Sequence, residues 1–503
     1  MAPVLSSGPG FRLPTVLLPR PGIDLARWAV IACDQHTAEP AYWQRVAEAV
    51  GDAPSTLHLI FPEAFLGDAD AAPARIAAIQ RTMQRYLDDG VFVEHAGAVL
   101  VQRRLPPALP VSSDFSSSAG PAISSHAVTG ERIRRGLMLE LDLACYDFGE
   151  GSTSLIRPTE GTIVERLAPR IAVREGAALE LPHVLVLIDD PDDTVLGPLT
   201  NVPRSTKPLY ATELMLGGGH VAGYAVDAAQ GERIVRSLTA LADPRRSSER
   251  YGAPAGSPPM LFAVGDGNHS LAAAKSLWQR IAAEAGPDHP SRWAVVEVQN
   301  IHDAALDFAP IHRLLLGVKR DVRAALAEAF GGRLSLLEVQ SAAAMRAGVA
   351  ERAAGATFGV IGPGPRWTVA TVGDGVSPSL GTSRRGEPAS SPPGTSKIDE
   401  AAAPPLGKPG SGESASPLAV ATVQAFVDRF VAEGGASAID YVHGDEVLER
   451  LAQPGGRLGL HLATVAKAEL LRRVVREGPL PRKTFSMGEA DEKRFYVEAR
   501  RIR

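Results

Sequence analysis

The chain has 503 residues, too many for one small core, so packed lobes joined by irregular insertions are expected. Hydrophobic residues make up 45%, and the formal net charge is −5 with a pI near 6.2, which excludes general disorder and gives no reason to expect DNA as a partner. Only Cys33 and Cys145 occur, too few for a disulfide framework and without the paired spacing of a thiolate metal site, so a reducing, cytoplasmic location is expected.

The opening MAPVLSSGPGFRLPTVLLPRPG places Pro and Gly where a signal peptide needs an unbroken apolar run. No later stretch approaches the roughly 20 apolar residues that span a bilayer, so no membrane partner is expected. Residues 41–50 and 75–87 have helical spacing, with Ile76, Ile79, Met83 and Tyr86 on one face. Strands are expected at 98–101 and 137–141, with a Ser/Gly/Pro-rich surface loop at 112–125 between them. The Arg- and Glu-rich segment from Thr153 suggests a helix starting near Thr162, then a strand at 183–188 closed by Asp189 and Asp190.

The apolar run Met260 to Val264 has the pattern of a buried strand. It runs without a linker into Gly265-Asp266-Gly267-Asn268-His269-Ser270 and then into a helix over 271–285. A strand follows at 293–298. Residues 374–416 are dominated by Pro, Gly and Ser, with nothing to bury, and are expected to form a disordered insertion. Helices are expected at 418–431, 445–451 and 463–475, and a strand at 439–442. The organisation expected is an N-terminal α/β lobe (1–150), a site region (151–373), the insertion (374–416) and a C-terminal α/β segment packed on the core (417–503).

Three constellations carry chemistry. A helix N-terminus presents free N–H groups and the positive end of the helix dipole. In the GDGNHS turn Gly265 and Gly267 let backbone approach a phosphate, Asn268 and Ser270 offer polar side chains, and Asp266 and His269 add a carboxylate and an imidazole. That suits phosphoryl transfer with Mg²⁺ near Asp266. The same residues also suit an ordinary capped turn. Arg157, Arg166 and Arg170, with Glu160 and Thr162 between them, form the second group: arginines for phosphate oxygens and Glu160 as general base, or else a capped helix with a salt-bridged face. The third is Cys33-Asp34-Gln35-His36-Thr37, where Asp34 and Thr37 either face a substrate or cap a helix. No pair of histidines has the HExxH spacing of a metal site.

Taken together, WAVIACDQHT, the Glu160-x-Thr162 segment, VGDGNHSLAAAK, Ile311-His312-Arg313 and PRKTFSMGEADEKRFYVEARRI resemble the domain-of-unknown-function 1015 family, whose members carry a strand–turn–helix of the form ADGHHR. Pro481, Lys483, Thr484 and Phe485 match that family's closing motif. The ADGHHR element is similar to the nucleotide-binding motif of the ParB/sulfiredoxin-like superfamily, which includes free-serine kinases. The resemblance implies a mixed α/β (α+β) fold built on that core, and a phosphotransferase using ATP or ADP with Mg²⁺ on a small hydroxyl metabolite such as free L-serine. Glu160, Asp266 and His269 match the positions of base, metal-proximal acid and phosphate contact. Asn268 and Ser270 depart from the family's histidine and arginine, so Arg157, Arg166 or Arg170 would have to supply the phosphate cation. A phosphatase of a phosphorylated amino acid and a nucleotide-binding protein without turnover are the alternatives. The partner expected is a small molecule and not nucleic acid, and the sequence leaves the oligomeric state open.

Overall fold

The computed structural model describes residues 7–37, 39–68, 70–105, 132–164, 167–202, 205–254, 256–351, 356–364, 366–373 and 419–503. The expected loop at 112–125 and the expected insertion at 374–416 lie outside the described residues. The chain divides into two compact units, one of residues 1–311 with 464–503 and one of residues 312–463. Both are mixed α/β.

In the first unit a twisted sheet is built from β1 (Val99–Arg104), β2 (Ile133–Asp142), β3 (Ile156–Pro158), β4 (Leu185–Ile188), β5 (Tyr210–Glu213), β6 (His220–Ala225), β7 (Phe262–Asp266) and β8 (Trp293–Asn300). Their order is β5-β6-β1-β2-β8-β4-β7-β3. Strands from both sides of residue 150 thus share one sheet, and a boundary at 150 between compact lobes does not exist. Alternation sets the two faces. Leu137, Leu139, Leu141, Val296 and Val298 enter one core, while Met138 and Val295 enter the other with Trp28, Trp43 and Tyr496. Two helices matter for the site, α1 (Leu167–Glu175) and α2 (Asn268–Ala285). The buried Ala272, Ala273 and Ala274 let α2 lie close to the sheet.

The second core also buries a layer of charge. Glu297 on β8 and Glu140 on β2 are almost inaccessible, as are Glu180 and Glu498. Arg494 pairs with both Glu297 and Glu498. Arg500 Nε lies 2.6 Å from Glu180, and Arg12 lies 2.6 Å from Glu140. Charges this deep persist only when paired.

The second unit holds most of β9 (Phe308–Leu316) together with β10 (Leu334–Val339), β11 (Ala356–Gly362), β12 (Arg366–Val372), β13 (Ala438–His443) and β14 (Arg457–His461), in the order β10-β12-β11-β14-β9-β13. Its helices are α3 (Val322–Phe330), α4 (Ala342–Glu351), α5 (Ala419–Ala432) and α6 (Asp445–Ala452). The chain then returns to the first unit through α7 (Lys467–Glu477).

Two helices start later than their sequence suggests. Thr159 to Gly161 bond to Val264 on one side and Leu480 on the other, so no helix begins at Thr162 and α1 starts at Leu167. Leu462 N–H is bonded to His312, and α7 starts at Lys467 rather than Ala463.

Candidate functional site

The turn between β7 and α2 is the expected strand–turn–helix. Gly267 is its N-cap with φ +76°, a left-handed conformation, and a Cβ there would meet Val184 Cα at 3.1 Å. Gly265 is required for space instead, because its Cβ would collide with Met487 Sδ.

Asp266 is held from two sides. Its Oδ1 accepts the Gly267 N–H (3.0 Å) and its Oδ2 lies 3.0 Å from Lys493 Nζ. Burial pushes this carboxyl up, but the Lys493 ammonium and the two hydrogen bonds outweigh it and hold it below the usual aspartate value. The cation beside Asp266 is therefore a lysine.

Parallel pairing of β3 with β7 aligns Pro158 with Val264 and carries Glu160 to the same end of the sheet as Asp266. The Glu160 carboxylate, however, accepts the backbone N–H groups of Lys483 (3.0 Å), Thr484 (2.9 Å) and Phe485 (3.3 Å). Lys483 adopts a left-handed φ of 58°, so successive N–H groups converge on the carboxylate as a nest. Burial raises the Glu160 carboxyl despite these donors. The carboxylate thus clamps the 483–485 segment, with three of its roughly four acceptor sites taken. With Asp266, the carboxylate expected beside Mg²⁺, already paired to the Lys493 ammonium, this residue does not fit that ion.

His269 Nε2 accepts the Ile163 N–H at 3.2 Å, joining the turn to the segment after Glu160. On either side of that bond, Thr162 Oγ1 and Asn268 Oδ1 are buried without a hydrogen-bond partner among the described residues. Ser270 Oγ lies 2.8 Å from His183 Nε2, and His183 Nδ1 lies 3.1 Å from the Tyr496 hydroxyl. Ser270, His183, Tyr496 and Cys33 all line one cavity of about 140 Å³, whose apolar wall includes Leu59, Ile60 and Phe61.

The arginines depart from expectation. Arg157 is buried on β3, and its guanidinium is bound to the carbonyls of Ser154, Thr153 and Pro258 at 2.7–3.0 Å. It staples a loop and is not a phosphate ligand. Arg170 on α1 pairs with Glu63 at the cavity wall, and Arg166 lies outside the described residues. Asp34 accepts the Gln35 side-chain N–H (3.0 Å) beside Cys33, whereas Thr37 sits in an exposed turn. Lys493, His183 and Tyr496 were not singled out by the sequence. Lys493 and Tyr496 lie within the family-like segment PRKTFSMGEADEKRFYVEARRI, which was the available signal.

In the second unit, His312, Asp445 and His461 each bring one ligating atom within 4.8 Å of the others. Asp445 Oδ1 lies 2.9 Å from His312 Nε2 and 3.1 Å from His461 Nε2. Leu462 donates its N–H to His312 Nδ1 (3.1 Å), which leaves the His312 proton on Nε2. A carboxylate accepting from imidazole N–H groups accounts for this geometry.

The model of the family described as "Protein of unknown function (DUF1015)" matches residues 17–105 and 121–391. The chain belongs to the DUF1015 family. No curated protein matches it. Among solved structures, DUF1015 membership is joined by distant similarity to a free serine kinase mutant in complex with AMP, at 10% identity and a TM-score of 0.35, covering 73% of this chain and 91% of that one. A conserved hypothetical protein from Pyrococcus furiosus matches at 11% identity and a TM-score of 0.33, covering 73% and 95%. SbnI from Staphylococcus aureus, truncated at its C-terminus, matches at 10% identity and a TM-score of 0.31, covering 70% and 82%. These similarities are too distant to transfer a property to this chain. Among the described residues no helix is long and apolar enough to cross a membrane.

Proposed function

We propose that this DUF1015 protein binds a nucleotide, ATP or ADP, through its phosphates at the N-terminus of α2 and transfers a phosphoryl group to a small hydroxyl acceptor, with free L-serine as the first acceptor to test. The observation that carries the reading is the pair of buried, partnerless oxygens, Thr162 Oγ1 and Asn268 Oδ1, flanking a glycine turn at the positive end of a helix. The Thr162 hydroxyl can donate to a phosphate oxygen, and a flip of the Asn268 amide turns its NH₂ to the same use. Lys493, paired with Asp266, keeps the acid of the turn from repelling a phosphate, and the apolar wall at Leu59, Ile60 and Phe61 suits a base or an acceptor's carbon skeleton. Positioning and charge neutralisation supply most of the catalysis in phosphoryl transfer.

Calorimetric titration with ATP and ADP, followed by a transfer assay with L-serine and other hydroxyl acceptors, tests the reading. Binding with transfer supports it. Binding without transfer leaves a nucleotide-binding protein, release of phosphate from a phosphorylated amino acid without nucleotide makes it a phosphatase, and no binding of either nucleotide overturns it.

A further inference from the structure

The geometry points to Ser270 as a nucleophile that carries the phosphoryl group covalently, with His183 as its base and Tyr496 as the residue that positions His183. The three side chains form a continuous line of hydrogen bonds, Ser270 Oγ to His183 Nε2 at 2.8 Å and His183 Nδ1 to the Tyr496 oxygen at 3.1 Å. All three residues border the same cavity, which gives a ligand space beside them. Nucleophile, base and orienter within hydrogen-bonding reach is the arrangement that activates a serine.

The Tyr496 oxygen also accepts the Cys33 N–H at 3.1 Å. In the tautomer this role requires, His183 Nδ1–H donates to the Tyr496 oxygen and the Nε2 lone pair faces the Ser270 hydroxyl. Tyr496 is fully buried and its ring meets the His183 ring edge-on, with centroids 5.6 Å apart, which fixes the imidazole in place. Ser270 also sits in the first turn of α2, where backbone amides stabilise charge developing on a phosphoryl oxygen.

In the first half-reaction Ser270 Oγ attacks the terminal phosphorus of the nucleotide. The Oγ–P bond forms, the P–O bond to the departing nucleotide breaks, and the serine proton passes to His183 Nε2. In the second, the acceptor oxygen attacks the phosphoseryl phosphorus and the P–Oγ bond breaks. His183 returns its proton to Oγ, and the acceptor's proton leaves to water. The donor's identity rests on the function proposed above, whereas the nucleophile does not.

The probe is therefore a fluorophosphonate, which reports a reactive serine without any nucleotide. Oγ–P bond formation expels fluoride, and His183 takes the serine proton. Peptide mass spectrometry of the folded full chain is expected to place the adduct on Ser270, with none on Ser270→Ala. His183→Gln is expected to slow labelling by about 100-fold. Tyr496→Phe is expected to lower the maximal labelling rate while leaving the probe concentration at half-saturation unchanged, which a merely structural tyrosine would not do. Because any of these variants could unfold, Ser270→Cys is the second arm, and its thiol is expected to react with iodoacetamide faster than Cys33 or Cys145. Absence of label on Ser270 in the wild-type protein, or labelling indifferent to His183→Gln in a folded variant, overturns the proposal. A labelled Ser270 in a protein that binds no nucleotide would leave the nucleophile standing and remove the kinase reading alone.

Discussion

Lys493 Nζ stands 3.0 Å from Asp266 Oδ2, so the acid of the GDGNHS turn is neutralised by a residue from the far end of the chain. Asp266 is held below its usual value in the folded protein, so its contribution to stability is present above about pH 3.9 and is lost as pH falls through the lower folded value. Lys493→Met removes the ammonium and leaves burial unopposed. The variant is expected to lose about 1–3 kcal/mol near neutral pH, less than a fully buried pair because the Asp266 side chain is 26% exposed. Urea unfolding near neutral pH and again at about pH 4 measures it: the gap to wild type narrows in acid as Asp266 protonates. An equal gap at both would show that Lys493 acts by packing alone.

Glu160→Gln turns an acceptor of three N–H bonds into a group with one oxygen and an NH₂ that faces a donor. The expected cost is about 1–3 kcal/mol, with faster hydrogen exchange confined to the amides of Lys483, Thr484 and Phe485. Unchanged exchange at those amides would mean that the carboxylate does not hold the nest.

Gly267→Ala forces a Cβ into a left-handed residue and against Val184. A loss of about 1–2 kcal/mol is expected from the backbone alone. Thermal unfolding checks the stability, and a crystal structure of the variant would show the first turn of α2 displaced.

Arg494→Met leaves Glu297 and Glu498 buried without their shared cation. The expected loss is about 3–5 kcal/mol, the largest of these substitutions. Adding Glu297→Gln to it is expected to recover part of the loss, and chemical denaturation of the single and double variants reads the coupling directly.

In the second unit, burial holds His312 below its usual value against the opposing pull of Asp445. Its contribution is present above about pH 6.5 and is lost as pH falls through the lower folded value. Asp445 is itself held far below the carboxylate range despite burial, because His312 and His461 bond to it, so its own contribution persists to much lower pH. Arg346 and Glu449 also face this group. Protection of the amides of residues 457–461, corrected for the intrinsic pH dependence of exchange, is expected to fall between about pH 6.5 and 5. Constant protection across that range would show that His312 is not the titrating group.

Local signals were legible in the sequence where local physics decides the outcome. The apolar run ending in glycines marked β7, the turn and α2, because a buried strand and a left-handed N-cap each constrain their own residues. The bonds of Arg157 to Pro258 and of Glu160 to the Lys483, Thr484 and Phe485 amides were not legible, because those partners lie far away in sequence. A buried arginine beside three carbonyls is a staple, and a carboxylate facing a distant nest is a clamp. His183 and Tyr496 carry no motif of their own; only the fold sets them beside Ser270.

The return of residues 464–503 to the first unit has a consequence for synthesis. A ribosome delivers Glu297, Glu180 and Asp266 long before Arg494, Arg500 and Lys493, and the whole of residues 312–463 emerges in between. The contiguous second unit has all its strands in hand while the first still lacks one cation for each of these acids, Arg174 and Arg134 being the only earlier arginines among the described residues that the structure sets against Glu180 and Glu297. The nascent first unit must therefore wait, open to chaperones and proteases, until the final arginines arrive to close it.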